Sequence, residues 1–185
     1  DRKRETGNED ALKALNGIMV YRRTKAEPII AAELPDRIDE LDHCAMTPEQ
    51  IGLYQAVIDS LIEESENSEA GSPQRKGAVL AAITALKQIC NHPLNYRDDG
   101  GPIEGRSGKL DRLYEIIDTV FAAEERLLVF THFATWGERL AIHLSEKYGH
   151  SFDCYHGGLG RGARDRMVDA FQNGKGSGGM VLSLK

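Results

Sequence analysis

Leu127-Leu128-Val129-Phe130, running into Thr131-His132-Phe133, is the stretch that decides the fold. Four consecutive apolar residues are too few for a helix and read as a strand buried on both faces, as in parallel sheets covered by helices. Before it, Leu110, Leu113, Ile116, Ile117 and Val120 recur at helical spacing and predict a helix over Gly108–Ala123. After it come a predicted helix at about Ala134–Lys147, a strand Phe152–Tyr155, a helix Gly162–Phe171 and a strand Met180–Leu184. From Ser107 onward the order is therefore βαβαβ. That order defines an α/β chain with a parallel sheet and right-handed crossovers.

Upstream the pattern turns helical. Thr47-Pro48-Glu49-Gln50 places a threonine at the N-cap, a proline in the first turn and a glutamine that closes a capping box. The predicted helix carries Ile51, Tyr54, Val57, Ile58, Leu61 and Ile62 on one face. Gly71-Ser72-Pro73 leads into a second helix, from about Gln74 to Asn91, which His92-Pro93 ends because a proline disfavours helix in the residue before it. Residues 94–106 read as a loop, and 47–106 as a helical hairpin attached to the α/β part. Further upstream, Asp10 caps a helix bearing Leu12, Leu15, Ile18 and Met19. The basic cluster Arg22-Arg23-Thr24-Lys25 follows, then an extended segment from Arg37 to Met46. Three segments result: 1–46, 47–106 and 107–185. The last strand lacks the helix that such a fold places next, and no initiator methionine opens the sequence, so the chain reads as a fragment.

Composition narrows the function. A 41% hydrophobic content excludes a disordered chain, and a net charge of −6 excludes a generic basic nucleic-acid binder. Basic residues do gather near the C-terminus, where Arg161, Arg164, Arg166, Lys175 and Lys185 oppose Asp165 and Asp169. No apolar run reaches membrane-spanning length and the start is not a signal peptide, so no membrane partner is expected. Cys44, Cys90 and Cys154 form no CxxC pair, which points to a reducing, cytoplasmic compartment. The histidines and cysteines show no metal-ligand spacing, and neither HExxH nor GxSxG occurs. No catalytic centre can be built from this chain alone.

Loops at the carboxyl ends of parallel strands are where such sheets bind ligands. Two are present: Thr131-His132-Phe133 and His156-Gly157-Gly158-Leu159-Gly160. Gly158-x-Gly160-x-x-Ala163 fits the dinucleotide-binding spacing, but Ser183, Leu184 and Lys185 occupy the place of its acidic partner. The loop is then either a nucleotide-cofactor site using Gly158 and Gly160 or a glycine-rich helix entry whose amides approach some other phosphate. Gly108-Lys109 looks like the tail of a Walker loop, yet Ile103 and Leu110 stand where a glycine and a Ser or Thr are required. His92 reads as a helix-end packing residue, whereas His132 and His156 stand at strand ends. A non-enzymatic scaffold, with 47–106 as an interaction arm, is a further reading.

Taken in order, these segments carry a resemblance. Arg22-Arg23-Thr24-Lys25 with Leu34-Pro35-Asp36-Arg37-Ile38-Asp39 resembles the RRxK…LPxKxE element of the SWI/SNF family of helicase-like DNA translocases. Leu86-Lys87-Gln88-Ile89-Cys90-Asn91-His92-Pro93 is similar to that family's LxxICNHP signature, and Ser107-Gly108-Lys109-Leu110 to its SGKL element. Leu127 to Phe133 resembles helicase motif IV. Tyr155-His156-Gly157, followed by Arg164, Val168 and Phe171, resembles the next segment, and Val181 to Lys185 the beginning of motif V. Arg37 and Asp39 replace the usual Lys and Glu with the charges kept. Tyr21 stands where leucine is commoner, and His156 where aspartate is common.

The resemblance implies that 1–46 is a connector from a first RecA-like lobe, 47–106 a helical protrusion, and 107–185 the N-terminal part of a second RecA-like lobe. ATP and Mg2+ would sit between the two lobes, on residues mostly outside this chain, so the fragment by itself holds neither and is inactive. Double-stranded DNA and the first lobe are the implied partners. Thr131, His132, Gly157 and Gly158 would hold nucleic-acid backbone phosphates, and Arg164 would brace the loop or meet a phosphate. Arg22, Arg23 and Lys25 would anchor the connector. An exposed sheet edge is expected to make the fragment self-associate. The intact protein would lie with DNA, in the nucleoid of a bacterium or the nucleus of a eukaryote.

Overall fold

The computed structural model describes residues 38–69, 71–174 and 176–183. Residues 1–42 and 43–185 form two compact units. The helix capped by Asp10 and the cluster Arg22, Arg23 and Lys25 lie outside the described residues.

Within the second unit, α1 spans Pro48–Glu66 and α2 Pro73–Asn91. The capping box read at Thr47 is present in full: Thr47 Oγ1 accepts from the Gln50 amide at 3.2 Å, and Gln50 Oε1 accepts from the Thr47 amide at 3.0 Å. The same Gln50 side chain, 1% exposed, donates to the Ile89 carbonyl at 2.7 Å and so joins α1 to α2. The apolar stripe read on α1 is only partly covered, with Ile51 and Ile62 half exposed. Residues 94–96, read as loop, instead belong to a short helix α3, Pro93–Tyr96. His92 makes this turn by ending α2 and capping α3 through its ring.

The sheet follows. α4 (Gly108–Ala122), β1 (Arg126–Thr131), α5 (Ala134–Tyr148), β2 (Phe152–Tyr155), α6 (Arg161–Asn173) and β3 (Gly178–Ser183) realise the βαβαβ order. All pairings are parallel and β3 lies between the other two, in the order β1-β3-β2. One sheet face turns Leu127, Val129, Val181, Phe152 and Cys154 toward α4 and α5. There they pack with Leu110, Ile117, Trp136, Leu140 and Leu144 in the main core. The opposite face is covered by α6 chiefly over β2 and β3, with α6 reaching β1 at Arg126, which bonds the Phe171 carbonyl. Leu128 and Phe130 of β1 therefore remain 45% and 59% exposed. The apolar run at 127–130 is thus buried on one face, not on both as its composition implied.

Candidate nucleic-acid interface

Register places the carboxyl ends of all three strands at one edge. Thr131 pairs with Ser183, and Tyr155 with Leu182. With parallel neighbours about 4.8 Å apart, the loops after β1 and β2 flank the end of β3 at roughly twice that spacing. Each loop runs directly into a helix, α5 or α6.

Neither helix start has a side-chain cap. The N-cap of α5 is Phe133 and that of α6 is Gly160, and neither makes a side-chain cap hydrogen bond. By contrast, α1 to α4 are capped by Thr47, Ser72, His92 and Ser107. An uncapped helix start leaves backbone N–H donors and the positive end of the helix dipole for an outside anion. Arg161 beside the α6 start is almost fully exposed and lies 3.8 Å from Asp165.

The sequence-predicted residues divide. His132 is exposed, with its ring edge-on to Phe133. Gly157 is exposed in the second loop. Thr131 is only 8% exposed, and its hydroxyl oxygen accepts from the Phe133 amide at 3.4 Å, tightening the loop. Gly158 is exposed in the same loop, and its amide donates to His156 Nδ1 at 3.2 Å. Arg164 sits with Cζ 6.0 Å from the centre of the Tyr155 ring, and its buried Nε has no hydrogen-bond partner.

Glu138, on the first turns of α5, was not legible in the sequence. Its Oε1 lies 3.0 Å from His156 Nε2, joining the second loop to the helix that leaves the first. A glutamate on a helix surface carries no local signal of such a partner.

The other matched segments form a joint behind this edge. His92 is fully buried: its Nε2 donates to the Ile103 carbonyl at 2.8 Å, and its Nδ1 accepts from the Leu94 amide at 3.0 Å. These bonds fix the neutral ring, which stacks on Trp136 of α5 at 4.8 Å. Burial holds its pKa below the ordinary histidine value. Ser107 caps α4 and donates to the Asn91 carbonyl at 2.6 Å. Gly108 is required by contact, since a Cβ there would lie 1.9 Å from the Ala45 carbonyl oxygen. Arg106 is clamped between Glu49 and Asp99, which it holds below the usual carboxylate range. In the sheet, burial raises the Cys154 thiol to about 11, where it is protonated at neutral pH. Among the described residues no cluster of His, Cys, Asp and Glu could hold a metal ion.

A parallel sheet with uncapped helix starts and one glycine-rich loop at its carboxyl edge defines an α/β lobe of the kind that binds ligands at that edge. Residues 1–95 match the family model described as SNF2-related domain, and the chain belongs to that family. It is 30% identical over 90% of its length to the putative ATP-dependent helicase/translocase YwqA of Bacillus subtilis, of which it covers 18%. It is 29% identical over 60% of its length to the chromatin structure-remodeling complex subunit snf21 of Schizosaccharomyces pombe, covering 10% of that protein. Among solved structures, the Sulfolobus solfataricus SWI2/SNF2 ATPase core in complex with dsDNA superposes with a TM-score of 0.75 at 29% identity. That match covers 97% of this chain and 38% of the other. The C-terminal domain of the same ATPase gives 0.71 over 77% of this chain and 61% of that one. The chain therefore spans less than a fifth of the curated relatives it matches.

Proposed function

We propose that the intact protein is an ATP-dependent translocase on double-stranded DNA and that this chain supplies part of its second motor lobe. Residues 1–46 act as connector, 47–106 as helical protrusion and 107–185 as the lobe itself. The observation that carries this reading is the pair of uncapped helix starts, α5 and α6, side by side at the carboxyl edge of the sheet. Their amides, with His132, Gly157 and the Thr131 hydroxyl, suit backbone phosphates, which fix register without reading sequence. Gly158 braces its loop through the His156 ring, and Arg164, packed over the Tyr155 ring, braces the same region. ATP and Mg2+ would be held chiefly by the rest of the protein. Opening and closing of the two lobes would then step these phosphate contacts along one strand. Phosphoryl transfer needs parts from both lobes, so the 185-residue chain alone hydrolyses no ATP. The protein would act wherever its DNA lies, in nucleoid or nucleus.

The test is ATP hydrolysis by the intact protein with and without duplex DNA, across a salt series. Strong stimulation that weakens steeply as salt rises is expected, because phosphate contacts release counterions. Hydrolysis indifferent to duplex would redirect the reading to another polynucleotide such as RNA. No hydrolysis at all would leave the interaction scaffold.

A further inference from the structure

We propose that Glu138 is a positioning residue that sets the separation of the two strand-end loops, acting through the His156 ring. The inference rests on the phosphate-holding role given to those loops above.

The chain of contacts has a direction. Gly158 N–H donates to His156 Nδ1 at 3.2 Å, so that nitrogen carries no proton. The ring proton is therefore on Nε2, which faces Glu138 Oε1 at 3.0 Å and donates to it. A hydrogen bond to a carboxylate is stronger than one between neutral groups. The His156 side chain is 16% exposed while Glu138 is 51% exposed, so the ring is held inside and its anchor stands at the surface. The ring also lies close over Gly158: a Cβ there would come within 3.1 Å of two of its atoms. The His156 carbonyl accepts from the Leu159 amide at 3.2 Å, closing the turn.

Glu138 belongs to α5, which begins immediately after Thr131-His132-Phe133. The helix is rigid over that distance, so fixing His156 to Glu138 fixes the second loop relative to the first. Two groups that grip successive phosphates must keep their spacing, and a misplacement of about 1 Å is enough to lose much of an interaction's effect. Among the described residues, Glu138 is the charged group paired with the His156 ring, while Arg161 of α6 faces Asp165 and Arg164 lies over Tyr155. Glu138 itself needs no contact with the nucleic acid.

The experiment uses the intact protein with Glu138→Ala and Glu138→Gln. It follows ATP hydrolysis against duplex concentration and, separately, hydrogen exchange of the Gly158 amide. Glu138→Ala should raise the half-saturating duplex concentration about tenfold, the lower end of what losing a charged hydrogen bond produces. DNA-independent hydrolysis should be unchanged, and Gly158 exchange should quicken. Glu138→Gln still accepts from Nε2–H and should stay within about twofold of the parent in both readouts. Unchanged duplex dependence alongside faster Gly158 exchange would reduce Glu138 to a fold-stabilising residue and overturn the proposal. Unchanged exchange would show that the brace does not hold the loop, which also overturns it. A parent protein that ignores duplex would sink the translocase reading instead. Gly158 exchange in Glu138→Ala then separates the two failures: faster exchange leaves Glu138 a fold-stabilising brace and parental exchange shows no brace, and either overturns the positioning role.

Discussion

The helices around the joint and the helices at the sheet's carboxyl edge begin in opposite ways. Thr47, Ser72, His92 and Ser107 each close the start of their own helix, whereas α5 and α6 start from Phe133 and Gly160 with no closing side chain. Capping removes the need for an outside acceptor and typically stabilises by about 1 kcal/mol. Leaving a helix start open forgoes that stabilisation and keeps its amides available. The first region closes its own helix starts, and the second leaves them open, as the proposed anion role requires.

The sharpest contrast lies between two glycines. Gly108→Ala drives a Cβ into the Ala45 carbonyl and should destabilise by about 3 kcal/mol or more in urea unfolding. Gly160→Ala meets nothing within 4 Å, and its poorer N-cap is offset by a stiffer unfolded chain, so stability should change by less than about 1 kcal/mol. Equal effects would break the comparison.

His92→Ala comes next. It strands the Ile103 carbonyl and the Leu94 amide and removes the stack on Trp136, at a cost of about 2–3 kcal/mol. Hydrogen exchange should rise first where α2, α3 and α5 meet.

Caps can then be removed from one region and added to the other. Thr47→Ala and Ser72→Ala should each lose about 1 kcal/mol. Gly160→Asp should gain several tenths of a kcal/mol, because Gly160 already has the extended backbone of an N-cap. The same change should weaken duplex binding, since the new carboxylate occupies the amides and repels phosphate. A stabilised Gly160→Asp protein with parental duplex affinity would refute the anion role of α6.

Acid provides the smallest effect. The folded pKa of His92, like that of His143, is depressed by burial. The unfolded chain therefore takes up these protons first, and stability should fall as pH drops below about 6.5. Glu49 and Asp99 are depressed by Arg106, so their contribution is lost only as pH falls below the ordinary carboxylate range. Comparing urea midpoints at about pH 7.5 and 5.5 isolates the histidine part, and His92→Ala should flatten it.

A separate expectation concerns the sheet. β1 is an edge strand with Leu128 and Phe130 exposed, so the 185-residue chain should self-associate, and sedimentation over a concentration series checks this.

The sequence by itself determined whatever depends on neighbours a few residues apart. The capping box at 47–50, the end of α2 at His92, the buried role of that histidine and the βαβαβ order were all legible from short-range spacing. The SNF2-type segments were also recognisable in order. Tertiary structure alone decided that β3 lies between β1 and β2, that α6 leaves Leu128 and Phe130 uncovered, and that Ala45 closes the space at Gly108. It also gave His156 Glu138 as a partner. The reason is physical. Caps and periodicities act within one helical turn, whereas these contacts join residues up to dozens of positions apart, and no composition or spacing encodes where two such groups will meet.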